Sequence, residues 1–249
     1  GINDLNPFVY TNDSTSISHG NPHLEPAKIN KYTISYSAQV GKSFISPELY
    51  LTTFNEGIDW ITFMNAEGLS ENIPTNVGKG GELGAQFSGS IKITDWWQLN
   101  PYVCVFYKKQ AGVEEHDIPT TEKVSFRTSM STMFSLPKDF VLSSYVYYGS
   151  PYIITQKTFS RDAIYVISAS KKILKSGKIE LSWILPFKND FLIRKEVKES
   201  ADYYERTEMQ LGFNYFVQAG FSYNFSLGSK IKKLRRNTDT ENDGNGGMF

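Results

Sequence analysis

Apolar and polar residues alternate with a period of two along most of the chain, the pattern of a strand with two unlike faces. Tyr32, Ile34 and Tyr36 alternate with Thr33, Ser35 and Ser37. Leu83, Ala85, Phe87, Gly89, Ile91 and Ile93 alternate with Gly84, Gln86, Ser88, Ser90 and Lys92. Val124, Phe126, Thr128, Met130, Thr132 and Phe134 form another row, as do Ile179, Leu181, Trp183, Leu185 and Phe187. The longest runs through Leu211, Phe213, Tyr215, Val217, Ala219, Phe221, Tyr223 and Phe225. These rows predict nine strands, at 31–41, 44–63, 76–94, 99–109, 122–136, 139–150, 162–172, 177–188 and 206–226. Several exceed the ~5–6 residues usual in soluble sheets. Most reach the ~9–11 residues that a tilted strand needs to cross a bilayer. The only helix candidate, Ala201 to Met209, is short and charged.

The connections alternate too. Those at 41–43, 95–98, 137–138 and 173–176 are short; those at 64–75, 110–121, 151–161 and 189–205 are long and mostly rich in charge, Gly, Pro or Asn. In an up-and-down sheet alternate connections share an end, so one end carries tight turns and the other long loops. That asymmetry is the signature of outer-membrane β-barrels. The strand centres agree. They alternate apolar residues with Ser, Thr, Gly, Gln and Asn, and charge gathers at the strand ends, which suits lipid on one face and a wet lumen on the other. Trp60, Trp96, Trp97 and Trp183, with Tyr102, Tyr107, Tyr147 and Tyr148, supply candidates for the aromatic girdles.

Composition narrows the classes. The chain has 249 residues, 26 Lys and Arg against 26 Asp and Glu, and one cysteine, Cys104. A balanced charge without a basic cluster on the strands gives no nucleic-acid footprint. A single cysteine cannot build an internal disulfide framework; Cys104, inside a strand run, reads as a small buried or lipid-facing hydrophobe. No apolar stretch is long enough for a membrane helix. The chain opens without Met or a signal peptide, as expected of a processed protein or a piece of a longer one.

A series of motifs carries a family resemblance. Leu5-Asn6-Pro7-Phe8 and Gly20-Asn21-Pro22-His23-Leu24-Glu25-Pro26 precede an alternating strand. Asn76-Val77-Gly78, Gly81-Glu82-Leu83, Trp96-Trp97, Leu136-Pro137-Lys138, Gly149-Ser150-Pro151-Tyr152 and Ser170-Lys171-Lys172 follow in order, and Gly220-Phe221-Ser222-Tyr223-Asn224-Phe225 ends the last strand. Together they resemble the C-terminal β-barrel portion of TonB-dependent outer-membrane receptors, most closely the outer-membrane β-barrel group common in Bacteroidetes. The resemblance implies an all-β, antiparallel up-and-down transmembrane barrel. The chain's nine to ten strands would form part of a larger wall of about 22 strands. It also implies an extracellular loop at 1–30, barrel strands over 31–227 and a polar, disordered periplasmic tail at 228–249. The chain lacks the N-terminal plug and TonB-contacting segment of such receptors. Its expected partners are therefore outer-membrane lipid, the plug and the remaining strands, with TonB reached through the plug region. In that setting Tyr32, Ile34, Tyr36, Ala38 and Val40 would face lipid, and Thr33, Ser35, Ser37 and Gln39 the lumen.

Catalytic, cofactor and metal chemistry is not readable. His19 and His23 are four apart, but Pro22 and Pro26 oppose the helix that would pair them. Glu114-Glu115-His116-Asp117 lacks EF-hand spacing and reads as a solvated loop. Gly78-Lys79-Gly80-Gly81 has no helix after it to make a phosphate loop. Lys230 to Arg236 is basic but runs into an Asn/Asp/Gly-rich tail ending at Phe249. The expected function is import of a bulky nutrient such as an iron chelate, cobalamin or an oligosaccharide, with no enzymatic step. Two rivals remain open on sequence. One is a small passive or structural barrel in which residues 1–18 add a tenth strand. The other is a secreted β-sandwich that binds glycans through aromatics near Trp96.

Overall fold

The computed structural model describes residues 1–225 apart from 174–175, 202 and 213–214; the basic run and the tail at 228–249 lie outside the described residues. Strands β1 (Tyr10–Asp13) and β2 (Ser16–Ser18) form a hairpin. Then come β3 (Lys28–Ser35), β4 (Ala38–Val40), β5 (Ser43–Asn55), β6 (Ile58–Met64), β7 (Ser70–Asn76), β8 (Gly80–Lys92) and β9 (Trp97–Gln110). They are followed by β10 (Thr121–Leu136), β11 (Phe140–Gly149), β12 (Tyr152–Ile154), β13 (Lys157–Ser160) and β14 (Ile164–Ile173). Last are β15 (Gly177–Ile184), β16 (Leu192–Glu199), β17 (Tyr204–Gln210) and β18 (Phe216–Tyr223). No α-helix occurs among the described residues; Ile2–Leu5 and Glu114–His116 are 3-10 turns.

One large sheet forms a wall in the order β18-β15-β14-β11-β10-β9-β8-β5-β3, with β4 also on β5. Every neighbouring pair is antiparallel. β3 and β4 are one strand in register: Ser35 lies opposite Glu48 and Ala38 opposite Ile45. The ladder thins between them because Pro47 accepts from the Tyr36 N–H at 3.0 Å but has no N–H to return. Each predicted strand thus has its counterpart in the wall. The wall is open: among the described residues, β3 and β18 are hydrogen-bonded to the wall on one side only.

Alternation sets the two faces. Tyr32, Leu51, Leu83, Tyr107 and Val124 lie side by side across five strands. All five are exposed, Val124 at 65%. Farther along the wall the same face carries Ile179, Leu181, Trp183, Val217 and Phe221. This outward face is the apolar row of the sequence. The inward face carries Tyr50, Gln86, Tyr102, Cys104, Phe106 and Arg127. Cys104 is fully buried there, packed with Tyr50 and Phe106.

At one end the wall strands are joined by tight turns such as 41–42, 93–96 and 137–139. At the other end, here called the head, the long connections fold into two further sheets, β1-β2-β7-β6 and β12-β13-β16-β17. The stretches read as loops at 64–75, 151–161 and 189–205 therefore contain strands. The predicted strand 44–63 breaks at Glu56, which takes a left-handed φ of 53°, and its second half leaves the wall as β6. The predicted strand 206–226 divides into β17 in the head and β18 in the wall. The helix candidate Ala201 to Met209 overlaps β17, an edge strand of the second head sheet. Residues 10–18 pair into the first head sheet through β2 and β7, so they do not supply a tenth wall strand.

Glycine at position 84 makes room on the inward face. Gly84 lies opposite Tyr50, and a Cβ there would sit 2.4 Å from the Tyr50 ring. The ring instead crosses the glycine and its hydroxyl donates to Glu82 at 2.6 Å. A Gly84→Val substitution should displace the ring and destabilise the wall by about 1–3 kcal/mol. In detergent, the folded, fast-migrating gel band should convert to the unfolded form at a lower temperature than in the parent.

Candidate functional site

The inward face meets the second head sheet in a cleft of about 660 Å³. From the wall, Glu82, Phe106, Lys108, Arg127 and Tyr147 point into it. They converge because each lies on the inward parity of its strand: Glu82 lies opposite Lys108 across β8 and β9, and Arg127 opposite Cys104 across β10 and β9. From the head come Tyr152, Phe159, Arg161 and Arg194. Four cationic side chains thus face one carboxylate.

The arginines lie against rings. The Arg127 guanidinium carbon is 4.9 Å from the Phe106 centroid, Arg161 is 4.4 Å from Tyr147, and Arg194 is 4.8 Å from Phe159. Phe159 in turn stacks on Tyr152 at 5.3 Å. Such cation–π contacts hold a guanidinium in place without neutralising it. Arg127 reaches the Glu82 carboxylate only at 4.0 Å. Arg194 pairs with Glu196.

A glutamine fixes the cleft's upper wall. The β12–β13 hairpin ends in Thr155-Gln156, both buried. The Gln156 amide imitates a strand residue: its Oε1 accepts the Thr62 N–H at 2.9 Å and its Nε2 donates to the Thr62 carbonyl at 2.6 Å. This pair ties the second head sheet to β6 of the first. Lys157 and Asp59 add an ion pair at 3.8 Å. Below β6, Ile61, Val77, Val113 and Ile118 form a small dry core with Phe63 and Ile73 against it.

The residues singled out from sequence fall elsewhere. His116 stacks on Phe63 at 4.0 Å, and Asp117 takes a left-handed turn conformation. His19 Nε2 lies 2.9 Å from Glu71 Oε1 and its Nδ1 2.9 Å from the Gly20 carbonyl, while His23 is exposed. No group of three or more His, Cys, Asp or Glu gathers with metal-site geometry among the described residues. Lys79-Gly80-Gly81 runs into strand β8. Of the girdle candidates, Trp96 and Trp97 cluster with Phe134 at the turn end, and Trp183 meets Phe187 and Tyr215 near the head. Trp60 belongs instead to β6 in the head, and Tyr102 and Tyr147 face inward. The cleft was missed in sequence because half its lining comes from segments read as loops. Its one visible signal was charge on the inward parity at Glu82, Lys108 and Arg127.

The wall with its outward apolar face agrees with the comparison by sequence family. The model of the outer membrane protein beta-barrel family matches residues 1–223. The chain belongs to that family. Membership places it in the outer membrane. No curated protein and no solved structure matches the chain.

Two outcomes follow for the head. Gln156→Ala leaves a buried N–H and a buried C=O of Thr62 without partners, at a cost of about 1–3 kcal/mol for each group. The Thr62 amide should exchange hydrogen faster, with little change in the wall amides. His19 presents both ring nitrogens to oxygen acceptors, chiefly the Gly20 carbonyl with Glu71 adding to it, and these raise its pKa above the ordinary value despite partial burial. A raised folded pKa stabilises the head fully below the unfolded value of about 6.5, and the gain is lost as pH rises through the folded value. NMR titration should find the His19 midpoint above that of an unfolded peptide, and Glu71→Gln should lower it.

Proposed function

We propose that this chain supplies wall strands, loops and a ligand-contacting head to a TonB-dependent receptor that imports a bulky nutrient. The observation that carries the reading is the open wall. It has a lipid-type outer face and an edge strand at each end, β3 and β18. A bilayer tolerates no unpaired strand edge, so such a wall calls for further strands to close it. Barrels wide enough to need about 22 strands carry a plugged lumen. In this reading the plug and the remaining strands come from the same receptor, and TonB acts through the plug. The turn end faces the periplasm and the head faces outside, following the short-turn, long-loop rule. An elaborated head with a polar cleft suits capture of a ligand, such as an iron chelate, cobalamin or an oligosaccharide, before transport. The resemblance to the Bacteroidetes-type receptors points the same way.

The test uses the native full-length protein purified from outer membranes. It should form a complex with the periplasmic domain of TonB and should show no steady conductance in planar bilayers. A constant ohmic conductance together with no TonB binding would establish the passive-barrel reading in its place.

A further inference from the structure

We propose that the cleft between the wall and the second head sheet binds a small polyanion that also carries a planar or apolar portion. The inference deepens the receptor reading, on which it rests for access from the head side. Its first support is a local excess of positive charge in a chain whose formal net charge is zero. Elsewhere in the head, each of these cations has a carboxylate within ion-pair distance: Lys198 has Glu205, Arg206 and Lys195 share Glu208, Lys157 has Asp59, and Lys188 has Asp162. In the cleft Arg194 pairs with Glu196, but Lys108 and Arg161 have no carboxylate within ion-pair distance among the described residues. Arg127 has only Glu82 at 4.0 Å, and that carboxylate already accepts the Tyr50 hydroxyl. Cations gathered in a partly desolvated cleft disfavour one another, and an anion placed among them relieves that cost.

The second support is orientation. Three guanidinium groups sit 4.4 to 4.9 Å from ring centroids that belong to both walls of the cleft. A guanidinium held this way is preorganised, and its planar fork of donors suits carboxylate, sulfonate or phosphate oxygens. The third is the remaining surface. Phe106, Tyr152, Phe159 and Ile193 give the cleft apolar area beside the charges. The volume of about 660 Å³ lies in the range of small-molecule sites. Inorganic phosphate would satisfy the charges but leave the exposed Tyr152 ring uncovered; a polyanion with a flat portion satisfies both.

The probe is 1,3,6,8-pyrenetetrasulfonate, titrated by fluorescence anisotropy into the native full-length protein in detergent. The expected result is saturable binding that weakens as salt rises and is not matched by neutral pyrenemethanol. The Arg161→Gln, Arg194→Gln double variant should weaken it by at least about tenfold. The Arg161→Lys, Arg194→Lys variant, which keeps charge without the planar fork, should weaken it less. Lys42→Gln, which removes a cation at the turn end, should leave it unchanged. Heat-modifiable migration checks that each variant is folded. Equal binding by folded parent and double Gln variant, equal binding of the neutral probe, or no saturable binding to the parent would overturn the proposal. The measurement needs no energised transport. Probe binding without TonB binding would therefore count against the receptor reading alone, and TonB binding without probe binding against the cleft alone.

Discussion

Everything in this molecule depends on keeping the parity of strands that are apolar on the outward face and mostly polar on the inward one. A slip of one residue would carry Val103, Val105 and Tyr107 inward and expose Lys108 to lipid. The wall prevents such a slip by redundancy. β9 pairs with β8 and β10 over most of its length, and the inward rows interlock through Tyr50, Cys104 and Phe106. The one proline that weakens a ladder, Pro47, turns its missing donor toward the edge pair β3–β5 and leaves the β5–β8 ladder intact. A proline is tolerated there because few bonds depend on that position.

The wall was legible because parity is a sequence-level property. The rows Leu83 to Ile93 and Val124 to Phe134 appear in the structure as outward rows. The head was not legible, because its strands are shorter and carry mixed patterns. Leu192–Glu199 has charge on both faces, and Ser70–Asn76 contains a proline. In such segments pairing is set by partners distant in sequence, such as β2 with β7 and β13 with β16, rather than by local periodicity. The breaks were hidden for a related reason. Glu56 bends the chain through a left-handed φ that no glycine or proline at that position announces, so 44–63 reads as one strand. The final row from Leu211 to Phe225 keeps its alternation in letters while the chain passes from head to wall.

The long connections fold because they have something to fold against. A loop of two dozen residues above a membrane would bury little of its own surface. Here Ile61 of β6 packs with Val77, Val113 and Ile118, and the Gln156–Thr62 pairing joins the two head sheets with two hydrogen bonds in a buried setting. A side-chain amide can replace a strand residue in this way because it offers one donor and one acceptor on one plane, as the peptide does. The consequence is a cleft with a rigid floor, the wall, and a roof fixed to a second sheet.

The wall's edges give the head its meaning. In the proposed receptor the edges at β3 and β18 would lie in the bilayer, where each unsatisfied group would cost several kcal/mol. Closure by further strands would remove that cost and at the same time enclose the inward face. Enclosure changes the electrostatics of that face more than its packing. Lys108, Arg127 and Arg161 would then sit in a narrower, less hydrated space, where like charges repel more strongly and an anion is held more tightly. In the proposed receptor, closure of the barrel would therefore strengthen the cleft's preference for anions, and the arginines laid on Phe106, Tyr147 and Phe159 would keep their geometry.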